Sequence, residues 1–153
     1  MRKIITGLLG KKGHLFKDVV CNDWEELVDI IAAPLLAEGA VEPQFVESAK
    51  EAAKQFGGYV VLIDDIAFFH GRPDAGVREI ALTLALLKQP VYLFEKRITV
   101  AFLLAAVDNN SHIDLLKELS LLLNDDECLK LLRKGGDLDA ILNKFREVEG
   151  LKS

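Results

Sequence analysis

Residues 66–77, with the sequence IAFFHGRPDAGV, place His70 directly after an apolar run and directly before a turn that contains glycine and proline. Aromatic and β-branched residues favour strands, whereas glycine and proline are typical of turns. We therefore expect a buried strand that ends at His70. An imidazole at a strand end is suited to nucleophilic chemistry, because one ring nitrogen attacks phosphorus while the other donates its proton to a fixed acceptor. The simpler alternative is a polar residue that ends a strand.

Two helices are predicted before this strand. Asp23 begins the first with a capping box, and apolar residues follow at helical spacing. Pro34 lies inside the pattern, so either the helix kinks there or a second short helix begins. Another helix is expected to begin at Pro43 and to end at the glycine pair 57–58. Residues 59–63 are again rich in β-branched and aromatic side chains, Asp64 and Asp65 interrupt this run, and residues 66–69 resume it, which predicts either two buried strands or one bent strand.

Two more strands are predicted after the turn, over residues 78–86 and 99–107. Pro90 and a charged cluster at residues 95–97 separate them. Alanine and leucine dominate residues 78–86, so a helix is the alternative for that segment.

The last third of the chain carries helix signals. Ser111 and Asp114 predict a capping box at the start of one helix, and two shorter helices are expected over residues 125–135 and 137–149. Helices, then strands, then helices predict an α/β domain with a sheet covered by helices on its faces. The length of 153 residues suits one compact domain that spans residues 1–153.

Composition and charge narrow the classes of function. The net charge of −5 argues against nucleic acid as a partner, because duplex binding needs an excess of Lys and Arg. No apolar run approaches the roughly 20 residues that span a bilayer, and no export signal is recognised, so no membrane insertion is expected. The two cysteines, Cys21 and Cys128, lie in no metal or disulfide pattern, which indicates reduced thiols and a cytoplasmic protein.

Three segments together resemble the IIA domains of the fructose and mannitol superfamily of the sugar phosphotransferase system (PTS). They are FGGYVV at residues 56–61, HGRPDAGV at residues 70–77 and AVDNNSH at residues 106–112, and the likeness extends over residues 24–145. The ascorbate-type branch is the most similar. The resemblance implies a single domain with a mixed β-sheet flanked by helices on both faces.

The same resemblance implies a phosphocarrier function. His70 would accept a phosphoryl group, derived from phosphoenolpyruvate, from the carrier HPr and pass it to a cysteine of a IIB component. That component serves a membrane IIC component during uptake of ascorbate or a related sugar, and no cofactor is needed. The alternative is a regulatory IIA-like module in which the phosphorylation state of His70 controls a protein partner.

Three further residues are expected at the site. His112 matches the family's second active-site histidine and is expected to steady the phosphoryl group, with a solvent-facing histidine in a first helical turn as the alternative. Arg72 is the nearest cation in sequence and is a candidate to bind phosphoryl oxygens or a partner's carboxylates, with a solvated turn arginine as the alternative. Ser111 is the remaining binding candidate. The histidines have no metal-binding spacing, and His14 is given no catalytic role.

Two residues depart from the pattern of the family. Phe69 stands where proline usually precedes the histidine, and Asp65 replaces a usual glycine. Phe69 keeps a backbone N–H that proline lacks, whereas Asp65 adds an acidic group that we expect close to the phosphoryl site. A docking surface for protein partners is expected around His70, with contributions from Phe68, Phe69 and Ala75.

Overall fold

The computed structural model describes residues 4–135 and 137–152. In chain order the elements are α1 Ile4–Leu9, β1 Leu15–Val19, α2 Trp24–Ala37, α3 Pro43–Phe56, a 3-10 turn Gly57–Tyr59, β2 Asp65–His70, β3 Ala81–Leu93, β4 Lys96–Ala105, α4 Asn109–Leu123, α5 Asp126–Lys134 and α6 Leu138–Lys152. The strands form one sheet in the order β1-β3-β4-β2. Because β1 runs parallel to β3, β3 antiparallel to β4 and β2 parallel to β4, the sheet is mixed.

Side chains alternate between the two faces of the sheet, so each strand contributes to two separate cores. In β2, Ala67 and Phe69 pack on the face covered by α2 and α3, whereas Ile66 and Phe68 pack on the face covered by α1, α4, α5 and α6. His70 alternates with Phe69 and therefore faces the layer that contains α4. Helices on both faces of a mixed sheet confirm the predicted α/β architecture.

The predicted helices after residue 22 are present, and their caps explain where they begin. The side chain of Asp23 accepts a hydrogen bond from the backbone N–H of Glu26 at 2.8 Å and so caps α2. This helix continues through Pro34 to Ala37, so no second short helix forms. Its buried apolar face outweighs the roughly 3 kcal/mol that an interior proline costs a helix. The helices α3, α5 and α6 match their predicted positions with small differences in their bounds.

The strand predicted over residues 59–63 is wrong, because this segment forms the end of the 3-10 turn and a loop. Val60 and Val61 are buried, as their apolar character indicates, but Val60 only lies alongside the outer edge of β2. There its carbonyl accepts a hydrogen bond from the backbone N–H of Phe68 at 2.8 Å. Burial therefore produced the strand-like composition, and β2 is the one strand in this region.

The two strands predicted after the turn form a long hairpin. β3 and β4 confirm strands rather than a helix. β3 begins later than predicted, at Ala81, and continues to Leu93, whereas β4 begins earlier, at Lys96, and ends at Ala105. Pro90 was expected to separate the strands, yet it lies inside β3. The register between β3 and β4 shifts between Leu86 and Val91, and such an irregularity accommodates a proline that has no N–H for the ladder.

The first two elements, α1 and β1, were not predicted from the sequence. α1 has only six residues, and its backbone N–H groups at Ile5 and Thr6 donate to the buried carboxylate of Glu149 in α6, each at 3.1 Å. β1 is an edge strand whose exposed Lys17 and Asp18 interrupt the apolar pattern. Both elements depend on partners far along the chain, so local sequence carries a weak signal for them.

His14 is a structural residue whose hydrogen-bond partners lie far from it in the sequence. Its side chain is fully buried. The ring nitrogen Nδ1 lies 3.0 Å from the carbonyl oxygen of Leu82 in β3, and Nε2 lies 2.8 Å from a carboxylate oxygen of Glu38 after α2. The imidazole therefore ties the chain before β1 to the sheet and to the end of α2.

Replacing His14 by alanine should lower the free energy of unfolding by about 2–4 kcal/mol, since it opens a cavity and leaves the Leu82 carbonyl unpaired. Urea denaturation measures this change. The control is Lys11→Ala at an exposed position of the same segment, which should change stability by less than about 0.5 kcal/mol. Equal stability of the two variants would contradict the role assigned to His14.

Candidate functional site

The pairing of β2 with β4 places the two candidate histidines together. His70 is the last residue of β2 and lies in register with Leu104 of the parallel strand β4. Parallel strands end at the same edge of a sheet, so α4, which follows β4 closely, begins beside His70. The rings of His70 and His112 face each other with centroids 5.3 Å apart and planes inclined by 48°. The structure thus brings His112 to the residue that the sequence identified as the nucleophile.

A single hydrogen bond selects the tautomer of His70. Its Nδ1 lies 3.0 Å from the carbonyl oxygen of Phe68. A carbonyl only accepts hydrogen bonds, so Nδ1 carries the proton and donates it. In the neutral imidazole this leaves the lone pair on Nε2, the nitrogen farther from the backbone. The ring is half-buried, and Nε2 is therefore the ring atom suited to attack an electrophile.

His112 is held in its neutral form. Partial burial lowers the pKa of His112 below its usual value, and the nearby charge of His70 lowers that pKa further. Two imidazoles this close disfavour a second positive charge. At neutral pH His112 is therefore an uncharged ring with one N–H to donate.

Gly71 follows His70 because the chain passes close to α3 there. A Cβ atom at Gly71 would lie 2.9 Å from the ring of Phe45 and 3.1 Å from its backbone oxygen. A side chain at this position would push the turn away from α3 and move the end of β2. The glycine of the turn thus serves the placement of His70.

The start of α4 differs from the prediction. Asp108, and not Ser111, is the N-cap residue, and the capping box joins Asp108 to Ser111 instead of joining Ser111 to Asp114. The Asp108 carboxylate accepts from the backbone N–H of Ser111 at 2.8 Å, and these hydrogen bonds hold the pKa of Asp108 below its usual value. Asp108 adopts the extended backbone that a cap requires, whereas Ser111 already lies within the helix.

This cap engages groups that were expected to bind the phosphoryl group. The Ser111 hydroxyl accepts from the backbone N–H of Asp108 at 3.2 Å and donates to its carbonyl at 3.1 Å. The backbone N–H of His112 also donates to the Asp108 carbonyl at 3.1 Å. The ring of His112 faces His70, whereas the backbone N–H of His112 is engaged in the cap.

Arg72 lies on the other side of the turn. Its backbone N–H donates to the hydroxyl of Ser48 at 2.9 Å, and its exposed guanidinium lies 3.4 Å from the carboxylate of Asp74. Arg72 borders a surface depression. Residues 107–109, which lead into α4, line the same depression. A role for Arg72 in binding therefore concerns the rim of the site and remains a prediction.

An apolar groove of about 350 Å³ opens beside the imidazole of His70. We call it the His70 groove; its lining residues are Tyr59, Leu62, Ile63, Phe68, His70, Leu116, Leu119, Ser120, Leu123 and Asn124. Two of its apolar side chains are largely exposed, Tyr59 by 74% and Leu62 by 72%. On the outer surface of α4 the apolar area continues through Ile113 and Leu121. Exposed apolar areas of this kind mark surfaces for protein contacts.

The expected docking residues divide into two groups. Phe68 lines the His70 groove, as predicted. Phe69 and Ala75 are buried, so the expectation that they contribute to a docking surface is wrong. Strand alternation turns Phe69 toward α2, where its ring stacks on Trp24 with centroids 6.2 Å apart.

Asp65 does not lie near His70, contrary to expectation. It begins β2 at the opposite end from His70, about 16 Å away at the usual rise per residue. Its carboxylate accepts a hydrogen bond from Nε of Arg97 at 2.9 Å. Its φ of 73° lies in the left-handed region, which explains why glycine suits this position.

The described part of the chain shows neither a metal-binding cluster nor a membrane-spanning helix. Residues 4–135 and 137–152 contain no group of three or more His, Cys, Asp or Glu side chains arranged to hold a metal ion. No helix in those ranges is long and apolar enough to cross a bilayer.

A mixed sheet between two helical layers, with two imidazoles facing each other at a strand end, defines a phosphotransferase domain of the IIA type. The model of the family "Phosphoenolpyruvate-dependent sugar phosphotransferase system, EIIA 2" matches residues 9–148. The chain belongs to this family and is a IIA component of the sugar phosphotransferase system.

Relatives with two sugar specificities are similar to the chain. The mannitol-specific cryptic phosphotransferase enzyme IIA component of Escherichia coli K12 is 31% identical over 113 residues, which cover 72% of this chain and 77% of the relative. The ascorbate-specific PTS EIIA component of the same strain is 32% identical over 114 residues, covering 72% and 74%. The E. coli mannitol IIA enzyme, solved in complex with phosphorylated IIB, shares the fold with a TM-score of 0.76 and 20% identity, covering 90% of this chain and 96% of that one.

The geometry of the histidine pair predicts how His112 titrates. Replacing His70 by glutamine removes one of the two causes that lower the pKa of His112, so this pKa should rise toward its usual value. It should stay below that value, because burial is the larger cause and is unchanged. NMR titration of the imidazole carbon-bound protons measures both variants. A constant or falling His112 pKa in His70→Gln would contradict the observed proximity of the rings.

Proposed function

We propose that the chain is a phosphocarrier that accepts a phosphoryl group from phospho-HPr on Nε2 of His70 and passes it to a cysteine of a IIB component. The observation that carries the proposal is the hydrogen bond from His70 Nδ1 to the Phe68 carbonyl, which leaves the lone pair on Nε2 of the half-buried ring. Cytoplasmic carriers exchange phosphoryl groups in this way, so we assign the chain to the cytoplasm.

The transfer needs no proton acceptor at His70. The Nε2 lone pair forms a new P–N bond while the P–N bond of the donor's phosphohistidine breaks, and the donor nitrogen keeps the electron pair. The Nδ1 proton remains hydrogen bonded to Phe68 throughout. In the second step a IIB thiolate forms a P–S bond, the P–N bond at His70 breaks, and Nε2 regains its lone pair.

We assign His112 the stabilisation of the phosphoryl group in transit. Its ring faces that of His70, and the lowered pKa keeps it neutral at physiological pH. A neutral imidazole donates one N–H bond to a phosphoryl oxygen without the stronger hold that a full positive charge would exert. Moderate stabilisation suits a carrier, because a group that is bound too tightly is not passed on.

The His70 groove supplies the surface for protein partners. Transfer between proteins requires both partners to bring their reactive atoms to Nε2, and an apolar rim around the histidine excludes water from that contact. The solved complex of the E. coli mannitol IIA enzyme with phosphorylated IIB supports a IIB partner for this chain. HPr would use the same surface in turn, since both partners must reach the same atom. A membrane IIC component then enters only through IIB.

Ascorbate or a related sugar is the transported substrate that we propose, because residues 70–77 most resemble the ascorbate branch and ascorbate-specific relatives match the chain. The regulatory alternative loses much of its support. It was kept open by the unusual residues Asp65 and Phe69, yet Asp65 lies at the far end of β2 and Phe69 is buried beneath the site. Neither residue blocks access to His70.

The first test is phosphorylation itself. Incubation with phosphoenolpyruvate, enzyme I and HPr at mildly basic pH should add one phosphoryl group to the wild type and none to His70→Ala, as intact-mass analysis would show. His112→Ala should still be labelled, but roughly 10–100-fold more slowly, since it loses a hydrogen bond to a charged group worth about 1.5–3 kcal/mol. Retention of the added mass in His70→Ala would refute the assignment of His70.

A second test addresses docking. Leu62→Asp places a charge in the apolar rim and should raise the KM for phospho-HPr roughly tenfold or more, because the carboxylate must lose water in the complex. Val20→Asp is the matched control, since Val20 is similarly exposed, by 58%, but lies outside the His70 groove. Equal effects of the two substitutions would rule out the groove as the docking surface.

A further inference from the structure

The peptide group between Phe68 and Phe69 carries the acceptor that sets the tautomer of His70. Its carbonyl oxygen belongs to Phe68 and receives the hydrogen bond from His70 Nδ1. Its N–H belongs to Phe69. Because a peptide group is planar, any rotation of this group moves the acceptor relative to the imidazole. The orientation of this one peptide plane therefore decides whether Nε2 is the free nitrogen.

The backbone directions around this peptide group follow from strand alternation. The N–H of Phe68 donates to Val60 on the outer edge of β2, at 2.8 Å, so the polar backbone groups of Phe68 point away from the rest of the sheet. The backbone of Phe69 then faces β4, where Phe69 lies in register with Leu103. Among the described residues no backbone N–H donates to the Phe68 carbonyl, so the peptide plane is held on its Phe69 side, by the pairing of Phe69 with β4 and by the packing of its side chain.

The side chain of Phe69 is anchored by an aromatic stack. Phe69 is fully buried, and its ring lies nearly parallel to that of Trp24, with centroids 6.2 Å apart and planes inclined by 14°. Trp24 is the first residue of α2, directly after the N-cap Asp23. The stack thus joins the end of β2 to a fixed helix start on the face of the sheet opposite His70.

We propose that Trp24 and Phe69 are a pair of positioning residues that hold the Phe68 carbonyl in place and thereby keep His70 in the Nδ1–H tautomer. Neither residue of the pair lines the His70 groove. The pair acts through the peptide plane, and its effect is a larger fraction of His70 with a free Nε2. This inference rests on the proposed role of His70 as the phosphoryl acceptor, but it concerns a property of the protein before any phosphoryl group arrives.

The test measures the tautomer directly, without HPr or phosphoenolpyruvate. Long-range ¹⁵N–¹H NMR correlations of the folded, unphosphorylated protein, at a pH where His70 is neutral, distinguish Nδ1–H from Nε2–H. Wild type and Trp24→Phe, which keeps an aromatic partner, should show His70 mainly as Nδ1–H. Trp24→Leu should shift His70 toward a mixture of both tautomers and slow phosphorylation by the same factor as the loss of the Nδ1–H form.

A matched control separates positioning from general loss of stability. Phe145→Leu shortens another fully buried phenylalanine, in the helical layer on the other face of the sheet, and should leave the His70 tautomer unchanged. Phe69→Leu repeats the test from the other ring of the stack. The proposal is overturned if both leucine variants of the stack keep the wild-type tautomer, or if Phe145→Leu shifts it as much. An altered tautomer in Trp24→Leu, together with a wild type that accepts no phosphoryl group, would uphold the positioning pair and reject the phosphocarrier function.

Discussion

The parallel pairing of β2 with β4 is the constraint on which the site depends. It brings the end of the edge strand that carries His70 to the same edge of the sheet as the end of the central strand β4. The chain then needs only a short loop before α4 begins, and the first turns of that helix place His112 opposite His70. A slip of one residue in this register would turn His70 toward α2 and α3, on the wrong face of the sheet.

Accessibility and restraint are balanced at the histidine pair. The ring of His70 is only half-buried and borders an open apolar groove, as the proposed transfer to nitrogen or sulfur atoms of other proteins requires. The restraint comes from the backbone carbonyl of Phe68 for His70 and from the side-chain cap of Asp108 for the helix of His112. Apolar neighbours add no competing charge, and they keep the second imidazole neutral by disfavouring its protonation.

The two unusual residues of β2 have structural explanations that differ from each other. Asp65 occupies a left-handed backbone position in which glycine is unstrained, and its carboxylate pairs with Arg97 at the end of the strand remote from the site. Phe69 belongs to the core, where strand alternation directs it to Trp24. Both residues are close to His70 in sequence, which suggested an altered active site. In an extended strand, however, Asp65 lies far from His70 along the strand, and the adjacent residue Phe69 lies on the opposite face of the sheet.

The sequence by itself determined the elements whose signals are local. These signals depend on residues a few positions apart. They are helix caps such as Asp23, the spacing of apolar residues along helices and strands, and the turn after His70. Only the tertiary structure decided features whose partners lie farther along the chain: the burial of His14 between β3 and α2, and the loop at Val60 that completes the edge of β2. The cap of α4 at Asp108 is itself local, but the backbone conformation decided between Asp108 and Ser111 as the first capping residue. The site belongs to both levels. Local chemistry makes His70 a candidate nucleophile, whereas sheet register brings the second imidazole and the groove beside it, because these are set by long-range packing.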